Sequence, residues 1–159
     1  MGNCGNCGCS NRNEESRGVL YFGHPVNTYN TELEGILLGT IFENFAAWEI
    51  ENPNQKKHQE GYQRYKEEKG NGMLYFDEVL QNCSGGIFLA FRDGKWGAGV
   101  AKEALNLLNR GLPVWQIRFV GDVVIIEELE SIDFTEENIL SVEETRARIR
   151  DKDGNTLPY

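Results

Sequence analysis

Gly86-Ile87-Phe88-Leu89-Ala90-Phe91 is free of charged residues throughout, and the turn Arg92-Asp93-Gly94-Lys95 closes it before a helical pattern begins near Gly99. A short unbroken apolar run bounded by turn residues is the pattern of a strand covered on both faces, as strands of a parallel sheet are. Upstream, Val19-Leu20-Tyr21-Phe22, closed by Gly23-His24-Pro25, reads as another buried strand. Between the two, Thr31-x-x-Glu34 is a capping box, and Leu33, Ile36, Leu37 and Ile41 follow it at helical spacing. Residues 46–50 are expected as a second strand, stopped by Asn52-Pro53; residues 55–69 are a charged helix or lid, and residues 73–80 a further helix. Downstream come a helix over 99–109 ended by Gly111, strands over 113–117 and 123–126, and a last helix from the Ser141-x-x-Glu144 box to about Arg150. This alternation predicts an α/β fold, a doubly wound open parallel sheet of about five strands, Rossmann- or flavodoxin-like. At 159 residues the chain suits one core. We place it in a single domain over 18–150, between a Cys/Gly/Asn-rich tail over 1–17 and a C-terminal tail over 151–159.

Sixteen basic residues stand against 25 acidic ones, a formal net charge of -9. A nucleic-acid binder needs a basic surface to replace phosphate counterions, and an acidic surface repels anionic lipid headgroups, so neither nucleic acid nor membrane is an expected partner. A small nucleotide remains compatible, because a few backbone amides hold one anion whatever the net charge. No apolar run approaches the roughly 20 residues that span a bilayer, and no secretory signal opens the chain, so a soluble, cytoplasmic protein is expected. Cys4, Cys7 and Cys9 crowd the N-terminus, where a flexible tail, a metal site, lipidation at Gly2 and redox pairing all stay open. Elsewhere no metal site is expected, since His24 and His58 are too far apart in sequence to suggest a metal pair, and no cofactor is expected.

In open α/β sheets ligands bind outside the carboxyl ends of the strands. That rule selects the segments around Gly23-His24-Pro25, around Asn52-Pro53, and from Phe91 to Gly99. The last leads through Gly97-Ala98-Gly99 into a helix, where backbone N–H groups and the helix dipole favour an anion. Glu103 follows one turn later, at the border of the apolar arc formed by Val100, Ala101, Ala104, Leu105, Leu107 and Leu108. From spacing alone it is either a solvated helix glutamate or a cleft carboxylate raised by partial burial. His24 is a proton-transfer candidate or a strand terminator bonded to backbone. Trp96, in the loop beside the anion position, is a candidate for stacking on a base. His58, Tyr62 and Tyr65 share a helix face, as packing or as a lid.

Gly99-Val100-Ala101-Lys102-Glu103, the apolar helix after it, Arg110-Gly111-Leu112-Pro113-Val114, and the opening Tyr21-Phe22-Gly23 together resemble the nucleoside 2-deoxyribosyltransferase-like superfamily. Gly97-Ala98-Gly99-Val100-Ala101-Lys102-Glu103 is also similar to the Gly-x-Gly-Thr-x-x-Glu pattern of the related "lonely guy" phosphoribohydrolases, with Val100 in place of Thr. The resemblance covers residues 18–126. It implies a nucleoside or nucleotide as small-molecule partner and Glu103 as the nucleophile on the anomeric carbon. It also implies amides of Gly97, Ala98 and Gly99 toward a phosphate, Gly23 in the substrate loop, Tyr21 and His24 flanking sugar or base, and a homo-oligomer. Two family aspartates are replaced, by Gly97 and within Cys83-Ser84-Gly85, and Asp93 is the candidate substitute. These departures favour hydrolysis, or nucleotide binding without turnover, over base exchange.

Overall fold

The computed structural model describes residues 17–159, so Cys4, Cys7 and Cys9 lie outside the described residues. The five strands among the described residues are β1 (Val19–Gly23), β2 (Glu49–Glu51), β3 (Gly85–Phe88), β4 (Val114–Val120) and β5 (Val123–Glu128), and they form one sheet in the order β2-β1-β3-β4-β5. β1 pairs in parallel with both β2 and β3, and β3 with β4. The helices are α1 (Glu32–Asn44), α2 (Lys56–Lys69), α3 (Met73–Gln81), α4 (Ala98–Asn109) and α5 (Val142–Ile149). The doubly wound α/β architecture expected from the sequence is present.

The two-residue period of a strand explains why both sheet faces are covered. Leu20, Phe22, Ile87, Leu89 and Ile117 point to one face, where they meet Leu37 and Ile41 of α1. Tyr21, Phe88 and Val114 point to the other, against Leu80 of α3 and Val100, Ala101, Ala104 and Leu107 of α4. Each fully buried Leu, Ile or Phe contributes on the order of 2 kcal/mol of burial free energy. That stabilisation is opposed by the conformational entropy lost on folding.

Several local expectations are corrected. β5 runs antiparallel to β4, with Val120 opposite Val123. Only Gly121 and Asp122 join them, with Gly121 at φ +62°, and a parallel connection needs a dozen residues or more. β2 is shorter and later than 46–50, because the Trp48 amide turns back to the Phe45 carbonyl at 2.9 Å. β3 leaves the ladder after Phe88, although Leu89, Ala90 and Phe91 stay buried. Thr31 caps α1 by accepting from the Glu34 amide at 3.3 Å, but Glu34 turns its carboxylate elsewhere, so that box is half formed. The Ser141–Glu144 box is complete.

Residues 151–159, expected as a tail beyond the domain, fold back onto the carboxyl edge of the sheet. The Leu157 amide donates to Ile149 O at 2.7 Å, and the Tyr159 hydroxyl donates to the Ala90 carbonyl. Among the described residues no helix is long and apolar enough to cross a membrane.

Candidate functional site

Because β2 and β3 lie on opposite sides of β1, the chain leaves β1 in one direction and returns to its other flank. This opens a crevice at the carboxyl ends of β1 and β3, the topological switch point where α/β ligands bind. A cavity of about 540 Å³ occupies that position, within the range of small-molecule sites. Tyr21 and Glu103 line it from the sheet and α4, Tyr62 and Phe76 from α2 and α3, and Ile149 and Arg150 from the end of α5.

Glu103 is only 7% exposed. The Tyr21 hydroxyl donates a 2.6 Å hydrogen bond to its Oε2. Removal from water pushes the Glu103 carboxyl up to about 8; the Tyr21 hydrogen bond works against that, the charge of Asp77 adds to it, and Lys102 offsets part. Burial, then the neighbouring Glu103 charge, raises the Tyr21 hydroxyl well above the ordinary phenol value, so Tyr21 remains the donor. The approach of β1 to α4 depends on Gly23. A Cβ there would overlap the Phe88 ring and stand 3.4 Å from Glu103 Oε1.

His24 sits on the cavity wall with both ring nitrogens engaged: Nδ1 is 2.9 Å from the Phe22 carbonyl and Nε2 is 2.7 Å from Glu34 Oε2. Its ring stacks on Phe22 at 3.9 Å. Glu34 also accepts from the Asn30 amide at 3.1 Å and from Asn54 Nδ2 at 2.9 Å. Burial raises the Glu34 carboxyl, but the hydrogen bonds from His24, Asn30 and Asn54 outweigh it, and the group lies below its ordinary value. The backbone-bonded reading of His24 therefore holds, within a network that also fixes the start of α1.

Gly97 and Gly99 line the cavity, as does Val100, which presents methyl groups where the resembled motif has a hydroxyl. Three expected contacts are not made. The Ala98 amide is taken by Thr145 Oγ1 at 2.9 Å, and Ala98 itself faces a shallow groove on the outer side of α4. Asp93 turns outward into a two-pronged ion pair with Arg148, at 2.8 Å on each oxygen, which pulls its carboxyl down to about 2. Trp96 is 3% exposed, packed 4.9 Å from the Phe134 ring, with its backbone bonded to Asn138 and Leu140. It belongs to the core and offers no surface to a base.

Two further groups complete the wall. His58 bonds the Glu51 carboxylate through Nε2 and lies 2.7 Å from the Tyr75 hydroxyl through Nδ1, tying α2 to the end of β2 and to α3. His58 and Tyr62 face the cavity, whereas Tyr65 pairs with Glu78 on the outside, so the aromatic stripe serves both as packing and as wall. Tyr29 was not singled out by the sequence reading. It follows the short 3-10 turn Val26–Thr28, and the only pointer to it was its position between the β1 loop and the Thr31 cap. Among the described residues no cluster of three or more His, Cys, Asp or Glu side chains is arranged to hold a metal ion.

No family model, no curated protein and no solved structure matches this chain. A functional reading therefore stands on the motif residues and on the cavity around them.

Proposed function

We propose that this protein cleaves the N-glycosidic bond of a nucleoside or nucleotide, or transfers its (deoxy)ribosyl group, with Glu103 as nucleophile. The observation that carries the reading is a buried carboxylate, hydrogen-bonded by one tyrosine, on the floor of an aromatic-walled cavity at the switch point of the sheet. In the first step a Glu103 oxygen bonds to the anomeric carbon while the carbon–nitrogen bond breaks. The bond's electron pair leaves with the base, which takes a proton from water. In the second step water attacks the same carbon and gives up a proton to the hydroxide left by the first, the ester bond returns its electrons to Glu103, and the free sugar departs; an acceptor base that loses its N–H proton in place of water gives transfer. Tyr21 stabilises the carboxylate that exists before attack and after release, and holds its free oxygen toward the cavity.

A second reading, nucleotide binding without turnover, has one observation in its favour: a carboxyl pushed up to about 8 keeps its proton at neutral pH and serves there as a hydrogen-bond donor. The two readings have opposite pH signatures, since attack needs the ionised form and donation needs the protonated one. Chromatography of free base released from a panel of ribo- and deoxyribonucleosides and their 5′-monophosphates, with wild type beside Glu103→Ala, tests the proposal. Base released by the wild type alone supports it. Ligand-induced thermal stabilisation without release supports the second reading.

A further inference from the structure

Tyr29 is held in place more firmly than a loop residue needs to be. Its amide donates to the Val26 carbonyl at 3.0 Å, and its ring lies 4.8 Å from that of His24. His24 is itself fixed by the Phe22 carbonyl and by Glu34, which Asn30 and Asn54 hold in turn. The phenol lines the cavity with Glu103, is half-buried, and its hydroxyl has no hydrogen-bond partner among the described residues. A buried network thus positions one uncommitted O–H donor in the cavity that Glu103 also lines. Burial, with the charges of Glu103 and Glu34, raises that hydroxyl above its ordinary range, so it stays a donor at working pH.

The geometry of displacement limits what this donor meets. The base of a natural nucleoside leaves from the β face of the furanose, so a carboxylate nucleophile approaches from the α face. On ribose the 2′- and 3′-hydroxyls project from that same α face, and the 2′-carbon is bonded directly to the anomeric carbon. Glu103 Oε2 already accepts from Tyr21. Resting on the glycosidic reading above, we infer that Tyr29 receives the 2′-hydroxyl of the substrate and that the site is built for ribosides in preference to 2′-deoxyribosides. A polar group placed to bond a substrate hydroxyl discriminates against the analogue that lacks it.

The test compares wild type with Tyr29→Phe, which keeps the ring against His24 and removes only the free hydroxyl. Dissociation constants by calorimetry and rates of base release are measured for ribonucleosides and for the matching 2′-deoxy and 3′-deoxy compounds. The wild type is expected to bind ribosides more tightly than 2′-deoxyribosides by about 10-fold, the size of one hydrogen bond. Tyr29→Phe is expected to lose about that factor on ribosides and 3′-deoxyribosides and to change less than about 2-fold on 2′-deoxyribosides. Equal effects on all three series, no effect on any, tighter wild-type binding of 2′-deoxyribosides, or a loss that tracks the 3′-hydroxyl each overturn the inference. Binding that follows the expected pattern without base release retains Tyr29 as the 2′ reader and removes glycosidic cleavage. Release with a uniform Tyr29→Phe effect does the reverse, and no binding in any series overturns both.

Discussion

The hydroxyl of Tyr21 on β1 reaches the carboxylate of Glu103 on α4 at 2.6 Å, joining two residues 82 positions apart in the chain. The contact exists because Tyr21 occupies the sheet face that α4 covers, and because Gly23 leaves room for Phe88 and Glu103 beyond it. Removing the hydroxyl leaves a buried carboxyl with one fewer donor. Tyr21→Phe is expected to move the ionisation of Glu103 further upward and to lower base release at pH 7 by about 10- to 100-fold, at a stability cost of about 1–2 kcal/mol. The pH profile of the variant checks this: its rise should begin at higher pH than in wild type, and an unshifted profile would remove Tyr21 from the role given to it.

The pH dependence of the wild type follows from the same group. Glu103 is held up to about 8, and the attacking form is the ionised one. The rate of base release at low substrate should therefore climb with pH and level off above about 8, reporting the free protein. A steady-state series in buffers from pH 5 to 10 reads it. A rate falling across that interval would mean that the protonated carboxyl is the active one.

Stability provides a third check, independent of any substrate. The folded-state value of Glu103 lies above its ordinary 4.5, so the fold binds this proton more tightly than the unfolded chain does. The group adds no penalty below about 4.5, where both states are protonated; the penalty grows as pH rises toward 8 and is constant above it. Glu103→Gln abolishes the titration while keeping an acceptor for Tyr21. The variant should equal wild type near pH 4.5 and exceed it above pH 8 by on the order of 2–4 kcal/mol in denaturant unfolding. An advantage of the variant over wild type that is no larger at pH 9 than at pH 4.5 would show that the carboxyl is well solvated.

Gly23 is the third member of the site's frame. A methyl group there collides with the side chain of Phe88, which is fully buried. Gly23→Ala is expected to cost about 1–3 kcal/mol through overpacking and to lower base release out of proportion, by displacing the floor on which Glu103 rests. Thermal melts beside kinetics on the folded fraction separate the two effects.

Asp93 serves as the contrast. Its ion pair with Arg148 is partly exposed and lies outside the cavity wall. Asp93→Asn should alter stability by less than about 1 kcal/mol and leave base release within about 2-fold of wild type. A severe loss of activity would bring the turn back into the chemistry.

The chain order of strands and helices could be read from the sequence because each carries its own periodicity: the unbroken run ending at Phe91, the spacing of Leu33, Leu37 and Ile41, and the Ser141 box are local signals. The antiparallel β5 was hidden because periodicity has no direction, and only the short Gly121-Asp122 link determines it. At the site, motif spacing singled out Glu103, but its partner Tyr21 is a matter of sheet register, which no local pattern encodes. Trp96 and Asp93 were misplaced for the same reason. Whether a loop indole faces solvent or core, and whether a turn carboxylate finds an arginine, depend on segments more than 30 residues away: Phe134 and Arg148. Tyr29 escaped notice because a lone tyrosine in a turn has no signature until its hydroxyl is seen to lack a partner among the described residues.

The most direct measurement is the mass of the protein after acid quench during reaction with a nucleoside bearing a 2′-fluorine in the arabino configuration. The electron-withdrawing fluorine destabilises the oxocarbenium-like transition states of both steps, so a glycosyl ester accumulates if one forms. We expect a gain of one fluoropentosyl group, mapping by peptide fragmentation to Glu103 and absent from Glu103→Gln. Base released while the protein mass stays unchanged, or an adduct on any other residue, would contradict a Glu103 nucleophile.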